Sequence, residues 1–259
     1  MTKDARNDTP DAAPLAGKTA LVTGGARRVG AEIVRALHGA GANVLIHYHR
    51  SAAEANKLVR ELEARRAGSA MACALDLLDT AQIDQLPRRA LEKFGALDIL
   101  VNNASTFYPT AVGEITEAQW NDLIGSNLKA PLFLSQAAAP CLRVTQGLIV
   151  NILDIHGMRP LRRYLTYSVA KAGLAMLTRG LARELGPQVR VNGVAPGPVM
   201  WPEDSDADQA FQQRIIDRTV LKRAGTSEDV ARAVLFFATQ APYVTGQILA
   251  VDGGRSIGW

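Results

Sequence analysis

Two side chains in the second half of the chain are spaced so that they could handle a proton together. Tyr167 and Lys171 are four residues apart in a segment of helical periodicity, which places both on one helix face. A phenol is a poor acid at neutral pH, and a nearby ammonium stabilises its anion and lowers its pKa. The pair is therefore a candidate for general acid chemistry, and an ordinary helix surface is the alternative interpretation.

A glycine-rich turn near the N-terminus has the pattern of a dinucleotide site. The turn runs from Thr23 to Gly30, with Gly24, Arg28 and Val29 inside it, between an apolar run and a helical pattern. Glycines let the backbone approach a pyrophosphate, and the amides at the start of a helix attract the anion. The order of strand, turn and helix favours this role over an ordinary glycine-rich turn.

A basic segment follows the second apolar run, where an NAD-preferring site would carry an acidic residue. Its residues are His47, Tyr48, His49, Arg50 and Ser51. A carboxylate there would repel a 2′-phosphate, whereas a guanidinium, an imidazole and a hydroxyl can bind it. The segment predicts NADPH as the cofactor, and a solvated loop with Ser51 as a helix N-cap is compatible with that prediction.

The elements that must position these residues alternate along the chain. Short, β-rich apolar runs predict seven strands, at residues 18–23, 43–47, 70–75, 97–102, 148–153, 189–194 and 247–251. Helical patterns lie at residues 30–39, 52–66, 81–94, 117–142, 167–185, 209–221 and 228–239. This rhythm predicts an α/β fold, a single Rossmann-type domain whose doubly wound parallel sheet has helices on both faces.

The composition excludes several other classes of protein. The 259 residues carry 29 Lys+Arg and 25 Asp+Glu, and 47% are hydrophobic, as in an ordinary globular domain. Cys73 and Cys141 lie far apart, so no disulfide scaffold and no metal site are expected. Residues 1–14 are charged and predict a flexible lead-in before a domain at 15–259. We expect a cytoplasmic protein with neither a membrane span nor a nucleic-acid partner.

The ordered motifs resemble those of the short-chain dehydrogenase/reductase family over residues 15–259. They are the 23–30 turn, Asp76, Asn102-Asn103-Ala104, Asn127, Tyr167 with Lys171, and Pro196-Gly197. The resemblance implies that Asp76 and Leu77 flank the adenine, and that Asn103 and Ala104 lie beside the adenosine ribose. It also implies that 196–199, including Pro196, Gly197 and Val199, bind the nicotinamide amide and that Lys171 holds its ribose.

Two polar positions are interpreted through that resemblance. Asn127 would hold a water for proton relay beside Lys171, although a buried amide bonded to helix backbone is the simpler interpretation. Most family members carry a serine where this chain has Asp154, thirteen residues before Tyr167. A carboxylate facing an alkoxide-like transition state is unfavourable, so ordinary ketone reduction becomes less favoured than chemistry on a basic nitrogen heterocycle. A displaced surface residue is the alternative for Asp154.

The aspartate makes the chain similar to the pteridine reductases, and other positions match that subfamily. Arg28 replaces the second glycine of the turn, and residues 46–56 are close to the subfamily's cofactor segment. The resemblance implies that Phe107 stacks on the pterin, that Ser105 contacts the pterin and the cofactor phosphates, and that Arg28 bridges pyrophosphate and pterin. Asp154 and Tyr167 would touch the substrate as well. Phe107 as an ordinary core residue is the alternative.

The sequence therefore predicts an NADPH-dependent reductase of ring C=N bonds in biopterin- or folate-type substrates. The alternatives are a 3-oxoacyl-ACP or other carbonyl reductase, and an NADP(H) sensor without catalysis. Residues 198–213 are expected to close over the substrate, and His156 either lines that pocket or lies on the surface. The resemblance also implies a homotetramer through the long helices, with the tail at 255–259 reaching a neighbouring subunit.

Overall fold

Seven parallel strands form one sheet in the computed structural model, which describes residues 13–199 and 209–258. The strands are β1 (Thr19–Val22), β2 (Asn43–Tyr48), β3 (Ala70–Ala74), β4 (Ile99–Asn102), β5 (Leu148–Ile152), β6 (Arg190–Pro196) and β7 (Ile248–Val251). Their order across the sheet is β3-β2-β1-β4-β5-β6-β7, and every neighbouring pair is parallel. The predicted fold class is confirmed.

Helices cover both faces of this sheet. They are α1 (Arg28–Gly39), α2 (Ala52–Arg65), α3 (Gln85–Phe94), α4 (Glu117–Ile124), α5 (Ala130–Thr145), α6 (Leu165–Leu185), α7 (Gln209–Ile216) and α8 (Ser227–Thr239). Alternate strand residues point to opposite faces of the sheet, so the apolar strands contribute side chains to two hydrophobic cores, one on each face. Val22 packs with α1, α2 and α8, whereas its neighbour Leu21 packs with α3, α5 and α6.

The predicted long helix at 117–142 is helical over its whole length, but it is not a regular α-helix throughout. It consists of α4, a π-helical turn at Gly125–Lys129, and α5. Side chains compete for the helix carbonyls here, because Asn127 donates to the Leu123 carbonyl at 3.0 Å and Ser126 donates to the Asp122 carbonyl at 2.9 Å. Side-chain bonds of this kind to the carbonyl four residues earlier often bend a helix. This π-helical turn carries Asn127, which bonds to the loop after β4.

The other element bounds shift by a few residues, with one larger difference. The helix predicted at 209–221 ends at Ile216, and α3 begins at Gln85 rather than at 81. The lead-in prediction lies outside the described residues apart from 13 and 14, and Leu15 is buried in the core. Most of the predicted substrate loop, including Met200 and Trp201, and the terminal Trp259 also lie outside them.

Within the described ranges, no helix is both long enough and apolar enough to cross a lipid bilayer.

Candidate active site

The candidate site lies where the strand order reverses, beside the carboxyl ends of β1 and β4. Parallel sheets place ligands in the crevice at such a switch point, because the loops on either side diverge there. The turn after β1 contains Gly24, the loop after β4 contains Asn103, and the loop after β5 contains Asp154. The topology therefore brings the three predicted parts of the site to one edge.

Backbone proximity explains the glycines of the turn. Gly24 has a φ of +59°, in the left-handed region that favours glycine, and a Cβ on it would lie 3.0 Å from the Ala104 Cα. A Cβ on Gly30 would lie 2.2 Å from the Gly24 carbonyl oxygen. Asn103 donates its side-chain amide to the Thr23 carbonyl at 2.8 Å. The turn is thus closed onto α1 and tied to the loop after β4.

Arg28 occupies the turn in an unusual backbone state. Its φ is +54°, a conformation that L-residues adopt rarely, and its side chain is exposed at the first residue of α1. This agrees with the sequence observation that Arg28 stands where the family turn has a glycine. Val29 beside it is partly buried and packs against the core. The side chain of Arg28 is therefore accessible to solvent at the turn where the anion is expected.

The basic segment after β2 divides into a buried and an exposed part. The side chain of His47 is 1% exposed, and both of its ring nitrogens are bonded within the protein, so it does not line the surface available to a cofactor. His49 and Arg50 are exposed, while Tyr48 and Ser51 are partly buried. Ser51 is the N-cap of α2 but makes no side-chain cap hydrogen bond. The prospective phosphate ligands are therefore Arg50, His49 and Ser51.

The predicted adenine and nicotinamide residues lie at the ends of the same strands. Asp76 follows β3 with an exposed carboxylate 3.9 Å from the His49 Nε2, whereas the Leu77 side chain is buried in the core. Leu77 can thus offer mainly backbone to a ligand. Pro196 ends β6, and Gly197 and Val199 follow it in partly buried positions. These groups border the crevice on both sides of the switch point.

Tyr167 and Asp154 form the central contact of the site. The Tyr167 hydroxyl donates to the Asp154 Oδ2 at 2.8 Å, and the Asp154 Oδ1 accepts from the His156 backbone N–H at 2.8 Å. Asp154 begins the 3₁₀ turn Ile155–Gly157, which fixes the carboxylate toward α6. The structure therefore places Asp154 beside Tyr167 and not at a displaced surface position.

The electrostatics of Tyr167 differ from the sequence expectation. We expected Lys171 to lower the pKa of Tyr167, but burial and then the Asp154 carboxylate raise that pKa well above 10, and the Ser105 hydroxyl lowers it only in part. Desolvation and a neighbouring carboxylate both disfavour a phenolate. Tyr167 is therefore held protonated in this arrangement, with its hydroxyl proton directed to Asp154.

Lys171 lies one helical turn beyond Tyr167 and is completely enclosed. Its Nζ donates to the Ile152 carbonyl at 3.0 Å and lies 5.6 Å from the centroid of the Tyr167 ring. Burial lowers the pKa of Lys171 to about 8, and Asp154 opposes that shift. A buried ammonium with few partners is costly, so packing alone does not account for a lysine at this position.

Asn127 is also close to these groups. It is fully buried, it accepts from the Ser105 hydroxyl at 2.6 Å, and it donates to the Thr106 and Leu123 carbonyls, each at 3.0 Å. These bonds satisfy the simpler interpretation of a buried amide bonded to backbone. They also hold the loop that carries Ser105 and Phe107 against the π-helical turn.

Aromatic side chains form one wall of the site. Phe107 is 40% exposed, stacks on Tyr164 with centroids 4.5 Å apart, and meets the Tyr167 ring edge-on at 4.8 Å. Phe107 is thus a surface platform and not a core residue. Tyr164 was missed at the sequence level, and its position one turn before Tyr167 was the available signal. The isolated bridge between Thr110 and Tyr164 holds the two loops together.

His156 lies next to the Asp154 carboxylate, which accepts its backbone N–H. Its Nδ1 is 3.1 Å from the Arg159 carbonyl, and the residue is partly buried. Among the residues the structure describes, no group of three His, Cys, Asp or Glu side chains could hold a metal ion.

The geometry brings a tight glycine turn and a Tyr167–Asp154 contact to one edge of the sheet, and comparison with known proteins identifies the family. A family model described as enoyl-(acyl carrier protein) reductase matches residues 24–256. The chain belongs to the short-chain dehydrogenase/reductase family.

Relatives of two substrate classes are similar to the chain. It is 37% identical to pteridine reductase 1 of Leishmania tarentolae, with 92% of this chain and 96% of the relative covered. It is 33% identical to the 3-oxoacyl-(acyl-carrier-protein) reductase FabG of Staphylococcus aureus, with 92% and 97% covered. The crystal structure of a blue fluorescent protein from a metagenomic library in complex with NADPH is 37% identical, with a TM-score of 0.88 and coverage of 93% and 99%.

Proposed function

We propose that the protein is an NADPH-dependent pteridine reductase that reduces ring C=N bonds of biopterin- or folate-type substrates. The observation that carries the proposal is the hydrogen bond from the Tyr167 hydroxyl to Asp154, at a position where the family commonly has serine. A carboxylate there disfavours a developing alkoxide and favours a cationic or amino-substituted ring. The 37% identity to a pteridine reductase supports the same substrate class.

The residues present fit NADPH. The closed glycine turn offers backbone amides at the start of α1, and Arg50, His49 and Ser51 stand together at the start of α2. No carboxylate lies in the segment 47–51 that would repel a 2′-phosphate. The NADPH bound in the similar crystal structure supports the assignment. When bound, this cofactor supplies a hydride to the substrate carbon.

The protein's own groups manage the proton. The raised pKa keeps Tyr167 protonated at neutral pH. It would donate its hydroxyl proton to the substrate nitrogen beside the reduced carbon, which becomes strongly basic as the hydride is transferred. Asp154 would orient that hydroxyl and bind an amino-substituted ring edge. Lys171 would hold the nicotinamide ribose and balance charge near Tyr167, while Asn127 would position the loop and a relay water.

A flat heterocycle has a stacking surface in this site. Tyr164 covers one face of the Phe107 ring, and the ring is still 40% exposed. Offset stacking on such a ring adds favourable energy beyond area burial. We place the pteridine between Phe107 and the nicotinamide, with Ser105 and Arg28 contacting its polar edge.

A second function has one observation in its favour. The 33% identity to a 3-oxoacyl-(acyl-carrier-protein) reductase covers 92% of this chain, as much of it as the pteridine reductase match does. A ketone substrate would develop negative charge on oxygen beside Asp154, which makes the site poorly suited to it. Reduction of an acyl thioester ketone is supported by this identity, but Asp154 ranks it second to pteridine reduction.

We also propose that the protein is a cytoplasmic homotetramer. Leu132 on α5, and Val169 and Met176 on α6, are exposed apolar side chains on the two long helices. Covering them with a second copy would remove apolar surface from water. Light scattering after size exclusion is expected to give four chains per particle, and a monomer would contradict the assembly.

The test of function follows NADPH absorbance with three substrates in parallel: dihydrobiopterin, dihydrofolate and an acetoacetyl thioester. We expect NADPH-specific turnover with a pterin and little with the thioester, and the best substrate is repeated with NADH. Turnover of the thioester alone would support the second candidate. Failure of all three substrates, with NADPH still bound, would indicate a cofactor sensor.

A matched variant tests the proton donor. Tyr167→Phe keeps the ring that packs on Phe107 and removes only the hydroxyl. We expect turnover with the pterin to fall by about 10²- to 10⁴-fold, the range for a lost general acid, with NADPH affinity within about twofold. Unchanged turnover would remove Tyr167 from the chemistry.

A further inference from the structure

His47 is a buried residue that connects two loops bordering the nucleotide crevice. It lies near the carboxyl end of β2, and its side chain is 1% exposed. The Gly24 backbone N–H donates to its Nδ1 at 3.2 Å, and its Nε2 lies 3.0 Å from the Leu75 carbonyl oxygen. Since Nδ1 must accept from Gly24, the ring proton is on Nε2 and donates to Leu75.

The backbone around His47 strengthens the same connection. The Gly25 N–H donates to the His47 carbonyl at 2.9 Å, and the Leu75 N–H donates to the Tyr48 carbonyl at 3.1 Å. Leu75 directly precedes Asp76, which borders the adenine end of the crevice. One imidazole in one tautomer thus joins the glycine turn after β1 to the loop after β3.

We propose that His47 is a positioning residue for NADPH, fixing the phosphate-binding turn against the adenine end of the crevice without touching the cofactor. The inference rests on the proposed NADPH binding and replaces direct phosphate contact as the role of this side chain. Gly24 has no other side chain bonded to its N–H among the described residues. Losing the imidazole would leave the turn free to change the direction of its amides.

The charge state of the ring suits this role. Burial lowers the pKa of His47 to about 4, with the hydrogen bond to Leu75 opposing the shift, and the titratable groups that influence the ring are His49 and Asp76. A protonated ring would set an N–H donor against the Gly24 N–H donor. The neutral ring therefore keeps the turn intact throughout the neutral range.

Three substitutions separate the two hydrogen bonds. His47→Asn places an amide oxygen near the former Nδ1 and can keep the bond from Gly24. His47→Gln places an amide nitrogen near the former Nε2 and can keep the bond to Leu75, while His47→Leu keeps neither. The Kd of NADPH is measured by nicotinamide fluorescence on the full chain, under conditions where circular dichroism shows each variant to be folded.

We expect His47→Leu to raise the Kd of NADPH by about tenfold or more, the effect of losing a buried hydrogen bond at the turn. His47→Asn and His47→Gln should each recover part of that loss, and kcat at saturating NADPH should change by less than about twofold. His38→Leu is the matched control, because His38 is also buried and bonded, to Ser69 at 2.8 Å. It should lower stability without changing the Kd.

Several results would overturn the inference. A folded His47→Leu variant that binds NADPH as the wild type does would show that the imidazole does not position the turn. An equal rise in Kd for His38→Leu would show a general loss of stability. ¹⁵N NMR of the wild type provides an independent check, since a proton on Nδ1 instead of Nε2 contradicts the geometry. A wild type that does not bind NADPH at all contradicts the proposed function, and this inference with it.

Discussion

Lys171 offers a direct test of the electrostatics of the site. The ammonium is 2% exposed, and burial lowers its pKa from 10.5 to about 8. Between these two values the unfolded chain binds more protons than the folded chain does, so folding stability rises with pH in that window. A pKa lowered from 10.5 to about 8 corresponds to about 3 kcal/mol of destabilisation, which is present in full below pH 8 and relieved by pH 10.5.

Lys171→Met removes this charge and keeps a side chain of similar length. The variant loses the hydrogen bond to the Ile152 carbonyl at every pH, worth about 1 kcal/mol, but it has no charge to desolvate. From pH 7 to pH 9.5 we expect the wild type to gain about 2 kcal/mol of unfolding free energy relative to the variant. Because the pKa of Tyr167 is raised well above 10, its phenol stays protonated in both folded proteins over this range.

Urea unfolding of the cofactor-free protein at a series of pH values measures the difference. Lys57→Met, at an exposed lysine on α2, is the control and should follow the wild type in parallel. If the wild-type and Lys171→Met curves also stay parallel from pH 7 to pH 9.5, Lys171 has no depressed pKa in the folded state, and the reasoning is refuted.

Three further substitutions test other parts of the site. Gly30→Ala puts a Cβ 2.2 Å from the Gly24 carbonyl oxygen and should abolish NADPH binding in titrations. The control is Gly39→Ala, whose added Cβ has no atom within 4 Å and which should bind NADPH normally. Equal NADPH affinities of the two variants would contradict the closed turn. Arg50→Glu should lower the ratio of kcat/KM with NADPH to kcat/KM with NADH by at least about tenfold, because the new carboxylate would repel the 2′-phosphate of NADPH. An unchanged ratio would show that Arg50 does not bind that phosphate. Phe107→Leu should raise the KM for a pterin several-fold and leave the Kd of NADPH unchanged; an unchanged KM would exclude stacking.

The sheet could be predicted because burial on both faces leaves a clear trace in the sequence. β4 and β5 are almost continuous apolar runs, and their neighbours show the same pattern. The π-helical turn at 125–129 could not be predicted, since it depends on where the side chains of Asn127 and Ser126 donate. The spacing of apolar residues in the sequence does not show that one helical turn contains an additional residue.

The candidate site residues could be named from their type and order, but their environments could not be predicted. His47 and Leu45 lie two apart in β2 and so share a face, and Leu45 is fully buried. Ile46 on the opposite face is equally buried, so strand parity alone could not show that the imidazole is enclosed. The raised pKa of Tyr167 depends on burial and on Asp154, which only the tertiary structure supplies. The Phe107 and Tyr164 stack joins two loops that are distant in sequence.

The most direct test of the central claim exchanges Asp154 for the serine that is common in the family. The measurement is the ratio of kcat/KM for dihydrobiopterin to kcat/KM for the acetoacetyl thioester, with NADPH, for the wild type and Asp154→Ser. We expect the wild type to favour the pterin and the variant to lower that ratio by at least about tenfold, since Tyr167 loses its carboxylate partner. A ratio that is the same in both proteins would show that Asp154 does not select the substrate.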